Sequence, residues 1–200
     1  MVDWNQFQPS NPTQLTLAHR KELHPHQVDA ITDVRAGFDA GADRGQMIMA
    51  CGTGKTFTSL RLAEQVVGAG GRVLFLVPSI NLLSQTVVEW ANDAEVPLST
   101  FAVCSDRHAG KRKKGDEDMS ANDLQVPAST DVESLLDEWR ARATPTQMAV
   151  VFSTYQSMDV IAAAQQAGLG RFDLIVCDEA HRTTGGTGPK SDASSFVKVH

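Results

Sequence analysis

Apolar residues in this chain fall into short unbroken runs, and the runs are separated by stretches in which apolar positions recur every three or four residues. Residues 72–77 read Arg-Val-Leu-Phe-Leu-Val, and residues 148–152 read Met-Ala-Val-Val-Phe. A strand with one face in water alternates apolar and polar positions, so runs apolar on both sets of positions predict strands covered on both faces. Further strands are predicted at 46–50, 99–104 and 172–177. Between them the period changes. After Pro25, the positions Val28, Ile31, Val34, Arg35 and Phe38 follow helical spacing, and Gly41 closes the pattern. Further helices are predicted over 56–67, where Gly68 to Gly71 breaks the pattern, over about 80–90, and from the strand at 148–152 through Ala164. Buried strands alternating with amphipathic helices predict a three-layer α/β domain with a mostly parallel central sheet and right-handed crossovers.

The rhythm breaks at two places. Residues 1–20 are dominated by Asn, Gln, Pro, Ser and Thr and read as a polar tail or linker. Residues 106–146 are long and polar and read as an insertion within the domain 21–200, with only 132–143 patterned as a helix. The insertion carries Lys111-Arg-Lys-Lys114, followed by Asp116-Glu-Asp118. Such a charge block is a solvated surface unless it meets phosphate. The last residues, Ser195 to His200, have no cap or tail, and the expectation is a piece of a longer protein.

Composition narrows the class. Apolar residues make up 42% of the 200 and charged residues 21%, enough to build one core. The net charge is −6, so a nucleic-acid contact has to be local rather than the work of a global positive field. Cys51, Cys104 and Cys177 are far apart and form no C-x-x-C pair, as in a reduced, cytoplasmic protein. The start lacks the basic and apolar segments of a signal peptide, and no apolar run is long enough to cross a bilayer.

The chemistry is concentrated in two stretches. Met49-Ala-Cys-Gly-Thr-Gly-Lys-Thr56 lies between a predicted strand and a predicted helix, the setting of a phosphate-binding P-loop. Gly52 and Gly54 let the backbone turn so that successive amides, with Thr53 between them, face one concavity at a helix N-terminus. Lys55 is placed for the β- and γ-phosphates of ATP, and the Thr56 hydroxyl for Mg²⁺. The full pattern has glycine where this chain has Met49. The second stretch, Asp178-Glu-Ala-His181, follows the last predicted strand. Acids at the C-terminal end of a parallel strand lie at the edge where ligands bind. Asp178 suits Mg²⁺, and Glu179 suits orienting and polarising a water.

Together these stretches resemble motifs I and II of superfamily 2 helicases and translocases, which are RecA-like P-loop NTPases. Leu23-His-Pro-His-Gln27 resembles the segment ahead of motif I, in which a glutamine reads the adenine edge, and Gln27 holds that place. Residues 76–86, Leu-Val-Pro-Ser-Ile-Asn-Leu-Leu-Ser-Gln-Thr, resemble motif Ia, and Phe152-Ser-Thr-Tyr-Gln-Ser157 resembles the next strand-end motif. Both touch the nucleic-acid backbone in that superfamily. The combination is similar to the helicase part of restriction enzymes, in particular Type ISP restriction-modification enzymes. The resemblance implies a DNA translocase lobe that uses ATP and magnesium. Its partners would be a second RecA-like lobe, absent before His200, that supplies arginine fingers, and fused nuclease and methyltransferase parts. It also implies that His181 couples the ATP site to the motor.

Ser79, Gln85, Thr154 and Tyr155 are the candidates for DNA-backbone contact, since hydroxyls and helix-start amides hold phosphates without reading bases; a plain helix N-cap is an equal reading of Ser79. Trp90 and Trp139 fall on helix patterns and read as packing residues. Two other readings compete: a nucleotide-binding module without turnover, and a small P-loop kinase. The segment at 178–181 and the motif Ia-like stretch argue against the kinase.

Overall fold

The computed structural model describes residues 20–104 and 128–179. Residues 1–19 of the tail, the basic run at 111–114 and His181 lie outside the described residues. The chain divides into two compact units, residues 1–58 and 59–200.

In the first unit, helix α1 (Pro25–Asp39) starts with proline in its first turn, where the missing N–H costs no helical bond. It ends at Ala40, and Gly41 follows at φ 91°. The predicted strand at 46–50 is a correction: the segment is irregular, and Ile48 is 85% exposed. Four consecutive apolar residues follow Gln46, but an apolar run makes a strand only where a neighbour completes the hydrogen-bond ladder. No ladder bond forms there among the described residues. Helix α2 (Lys55–Val66) begins in this unit and runs into the second.

The second unit continues with β1 (Arg72–Val77), α3 (Ile80–Asp93), β2 (Leu98–Val103), β3 (Ala128–Ser129), α4 (Val132–Arg142), β4 (Met148–Thr154), α5 (Met158–Ala164) and β5 (Leu174–Cys177). The strands form one parallel sheet in the order β3-β2-β4-β1-β5. The predicted α/β class and the parallel sheet are therefore observed. The alternating faces of β1 explain the three layers. Val73, Phe75 and Val77 join Leu60 and Ala63 of α2 and Leu83, Val87 and Trp90 of α3 on one side. Leu74 and Leu76 join Leu135 of α4 and Ile161 of α5 on the other. All seven residues of β4 are buried, as expected for a strand covered on both faces. Each fully buried leucine or phenylalanine contributes about 1.5–3 kcal/mol. Trp90 is the hub of the first layer. Its ring meets Phe75 and Phe152 edge-on, at centroid distances of 5.1 and 5.5 Å.

The described part of the stretch expected as an insertion is built into the fold. Residues 128–129 add the edge strand β3, and α4 places Leu135 and Leu136 in the core. A two-residue strand leaves no period to read in a sequence.

An ion pair ties α2 to the loop after α3. Arg61 is 6% exposed and pairs with Glu64, while its other nitrogen donates to the Asp93 carbonyl at 2.9 Å. Glu64 Oε1 accepts from the amides of Glu95 and Val96, at 2.6 and 2.9 Å. Two charges removed from water are tolerated here because each is also hydrogen-bonded to backbone.

Candidate functional site: a braced phosphate loop and a strand-end acidic pair

The loop preceding α2 is held from within the first unit. Thr53 closes a turn on Ala50, its amide and hydroxyl reaching the Ala50 carbonyl at 3.4 and 2.7 Å. Gly52 and Gly54 lie at φ 78° and 80°, a region that costs residues with a Cβ about 1–2 kcal/mol. The expectation of two conformationally demanding glycines is met at both positions. Gln27 fixes the loop to α1. Its Oε1 accepts from the His24 amide at 2.8 Å, completing the helix start, and its Nε2 donates to the Thr53 carbonyl at 3.0 Å. A Cβ on Gly54 would come within 2.6 Å of Gln27 Nε2. The loop therefore needs glycine there for space as well as torsion. His26 adds a longer contact, Nε2 to the Thr53 carbonyl at 3.4 Å. Lys55 and Thr56 open α2, and the Gly54 carbonyl accepts both the amide and the hydroxyl of Thr58, at 2.9 Å each.

This arrangement fits a phosphate chain. Left-handed glycines turn amides toward one side, an α-helix N-terminus directs its first amides outward, and Lys55 supplies the cation beside them. Gln27 is 2% exposed and uses both atoms of its carboxamide on backbone. Its oxygen retains a second lone pair for a further donor.

In the second unit, the acidic pair follows directly on β5. The Asp178 amide donates to the Leu76 carbonyl at 2.9 Å, one ladder step beyond the strand. The chain then turns sharply. Glu179 lies at φ 56°, the single positive-φ non-glycine residue among those described, and its amide donates back to Asp178 Oδ1 at 3.0 Å. Left-handed backbone at a residue with a Cβ is a strained conformation that the surroundings must impose. Tyr155, the first residue after β4, is fully buried and donates its hydroxyl to the Asp178 carbonyl at 2.8 Å. Burial, then the neighbouring Cys177, Asp178 and Glu179, push the Tyr155 phenol well above its usual range, so it stays a donor. Burial also raises the Cys177 thiol, partly offset by a hydrogen bond with Tyr155.

The four DNA-contact candidates separate by exposure. Thr154 is 2% exposed and hydrogen-bonded to Ser157 at 3.1 Å, and Tyr155 is buried with its hydroxyl on Asp178. Neither presents a group to a polymer, which corrects the reading of both. A residue at a strand end faces solvent only if its side chain is not wanted by the core, and the Tyr155 ring joins the layer under α4 and α5. Ser79 is half-buried and caps α3, its hydroxyl accepting from the Leu82 amide at 3.3 Å. Gln85 is exposed and bonded to Glu89 at 2.9 Å.

Residues 20–199 match the family ResIII, described as "Type III restriction enzyme, res subunit". The chain belongs to the ResIII family. Among solved structures it is similar to the ATP-dependent Type ISP restriction-modification enzyme LlaBIII bound to DNA, with 42% identity and a TM-score of 0.84 over 100% of this chain. A nuclease-deletion mutant of the Type ISP enzyme LlaGI, in complex with a DNA substrate mimic, is 43% identical, with a TM-score of 0.71 over 90% of this chain. The chain spans 13% and 16% of the lengths of those two proteins. No curated protein matches it. The similarity to Type ISP restriction enzymes, and a helicase-type lobe as the fold, are thereby established for this ResIII chain.

Two residues beside the candidate site of this ResIII lobe were not read as part of it from the sequence. One is His26, on the Thr53 carbonyl. The other is Pro78, which marks a turn in the sequence but also removes an N–H at the end of β1. Its sequence signal is ambiguous, since a proline at a strand end deprives a neighbouring strand of a donor only where its missing N–H would have faced that strand. No helix of the described residues is long and apolar enough to cross a membrane, and no group of three or more His, Cys, Asp or Glu among them could hold a metal ion.

Proposed function

We propose that this chain is the ATP-binding lobe of an ATP-dependent DNA translocase or helicase within a restriction-modification or related defence enzyme of the cytoplasm. The observation that carries the reading is the braced loop from Gly52 to Thr56, anchored by Gln27, in a ResIII chain whose β5 is followed directly by Asp178 and Glu179. Bound Mg-ATP supplies the phosphoanhydride bond whose hydrolysis drives movement. Lys55 and the amides around Gly52, Thr53 and Gly54 bind and neutralise the phosphates. Gln27 is the residue for the adenine edge. Thr56 and Asp178 would hold the magnesium ion, and Glu179 orients and polarises the attacking water. His181 couples this chemistry to the motor.

DNA is held through its backbone and without sequence preference, so binding weakens as salt rises. Of the contact candidates, Gln85 and the cap Ser79 remain. The second RecA-like lobe supplies the arginine fingers, and nuclease and methyltransferase parts belong to the same enzyme. The isolated chain accordingly turns over little ATP.

The test is ATP turnover with and without duplex DNA, before and after the second lobe is supplied, beside Glu179→Gln. DNA-stimulated turnover that needs the second lobe and is lost in Glu179→Gln supports the reading. Binding of ATP with no turnover under any condition would instead indicate a nucleotide-binding module. Phosphorylation of a small metabolite, indifferent to DNA, would indicate a kinase.

A further inference from the structure

Asp178 sits at a gap in the sheet. The ladder between β1 and β5 pairs Leu76 with Cys177, and the Asp178 amide donates to the Leu76 carbonyl. In a parallel ladder the residue that accepts from one neighbour is followed, two positions on, by a residue whose amide donates back to that neighbour. The donor due at the Asp178 carbonyl is therefore the amide of residue 78. That residue is Pro78, which has no N–H. The carbonyl is instead met by the Tyr155 hydroxyl at 2.8 Å. Tyr155 follows β4, and β1 lies between β4 and β5. At about 4.8 Å per strand, only a long side chain spans that gap. Immediately beyond the captured carbonyl, Glu179 enters its left-handed conformation at φ 56°.

We propose that Tyr155 is a positioning residue for the Asp178–Glu179 peptide. Its hydroxyl replaces the ladder donor that Pro78 cannot provide, fixes the plane of that peptide, and so holds the backbone from which both carboxylates project. A regular ladder bond at this carbonyl would favour continued strand, in which Glu179 would remain extended. A side-chain donor lets the strand stop while its last carbonyl stays satisfied. The end of β4 is thereby linked to the acidic pair by one hydrogen bond. This inference rests on the reading of Asp178 and Glu179 as the magnesium and water-activating residues.

The test is heteronuclear NMR of the 200-residue chain without nucleotide, comparing wild type, Tyr155→Phe and Cys177→Ala. Tyr155→Phe keeps the buried ring and removes only the hydroxyl. The expected result is loss of the positive torsion at Glu179 and about tenfold faster amide exchange there, the equivalent of one hydrogen bond. Cys177→Ala, which alters the other neighbour of the hydroxyl, should leave both readings unchanged. A folded Tyr155→Phe chain with the Glu179 torsion and exchange rate of wild type overturns the proposal. Should Tyr155→Phe fail to fold, wild type alone decides. A slowly exchanging Tyr155 hydroxyl proton, close to the Glu179 amide, is required, and its absence overturns the proposal. These readings use no ATP. A null effect of Glu179→Gln on turnover would sink the functional reading while leaving the torsional result standing, and the reverse outcome would sink only the positioning role.

Discussion

Replacing Gly54 with alanine tests the brace between α1 and the phosphate loop, and the structure gives both the size and the control. Two costs add at this position. The first is torsional: φ is 80°, and a Cβ there costs about 1–2 kcal/mol. The second is steric, because the new Cβ would lie 2.6 Å from Gln27 Nε2. A side-chain terminus usually moves aside cheaply. Here it cannot, because Gln27 is 2% exposed and is bonded to His24 and Thr53. Moving it gives up one or both bonds, at about 0.5–1.5 kcal/mol each. Gly54→Ala should therefore destabilise by about 1.5–5 kcal/mol. Gly52 has nearly the same torsion, 78°, but a Cβ there meets nothing within 4 Å. Gly52→Ala should cost only the torsional part, about 1–2 kcal/mol. Urea denaturation of wild type, Gly54→Ala, Gly52→Ala, Gln27→Ala and the double variant Gln27→Ala/Gly54→Ala forms a cycle. The steric part should vanish once Gln27 is gone, giving a coupling of about 0.5–3 kcal/mol. If Gly54→Ala and Gly52→Ala agree within about 0.5 kcal/mol and the coupling is nil, Gln27 does not brace the loop and the reasoning fails.

Removing Glu64 from the buried pair, by Glu64→Ala, leaves Arg61 with the half-exposed Glu95 at 3.2 Å as its carboxylate partner and strips two backbone amides of their acceptor; a loss of about 1–3 kcal/mol in urea denaturation is expected. Trp90→Ala opens a cavity between Phe75 and Phe152 and should cost about 3–5 kcal/mol by the same assay, whereas Trp90→Phe should recover part of it. Asp131 caps α4, and its carboxyl is held below the ordinary value of 3.8, chiefly by the Ser134 amide. A depressed folded value means the stabilisation is present in full above about pH 4 and is lost as pH falls through the folded value. Asp131→Asn, which caps but does not titrate, should remove that contribution to the acid limb of a stability–pH profile.

The sequence was most readable where burial was complete. Strands β1 and β4 announce themselves because both faces are covered, so every position is apolar apart from the strand ends. The glycines of the phosphate loop were equally plain, since their torsions leave little choice of residue. Local pattern failed where the outcome depended on partners distant in sequence. Residues 46–50 are as apolar as a buried strand, yet an apolar run cannot supply a ladder. β3 is too short to have a period, although it completes the edge of the sheet beside β2. Tyr155 and Thr154 sit at a strand end, where exposure is the ordinary expectation, and the packing under α4 and α5 takes the Tyr155 ring inward instead. Gln27 was legible as a residue of the site through its motif, but its grip on Thr53 joins residues 26 positions apart and has no local signature.

The central claim is that the loop opening α2 binds the phosphates of ATP through Lys55. Calorimetric titration of the 200-residue chain with Mg-ATP, beside Lys55→Ala, tests it most directly. The account predicts saturable binding by wild type and its loss in a Lys55→Ala chain that remains folded. Binding that survives Lys55→Ala unchanged, or no binding by folded wild type, would contradict it.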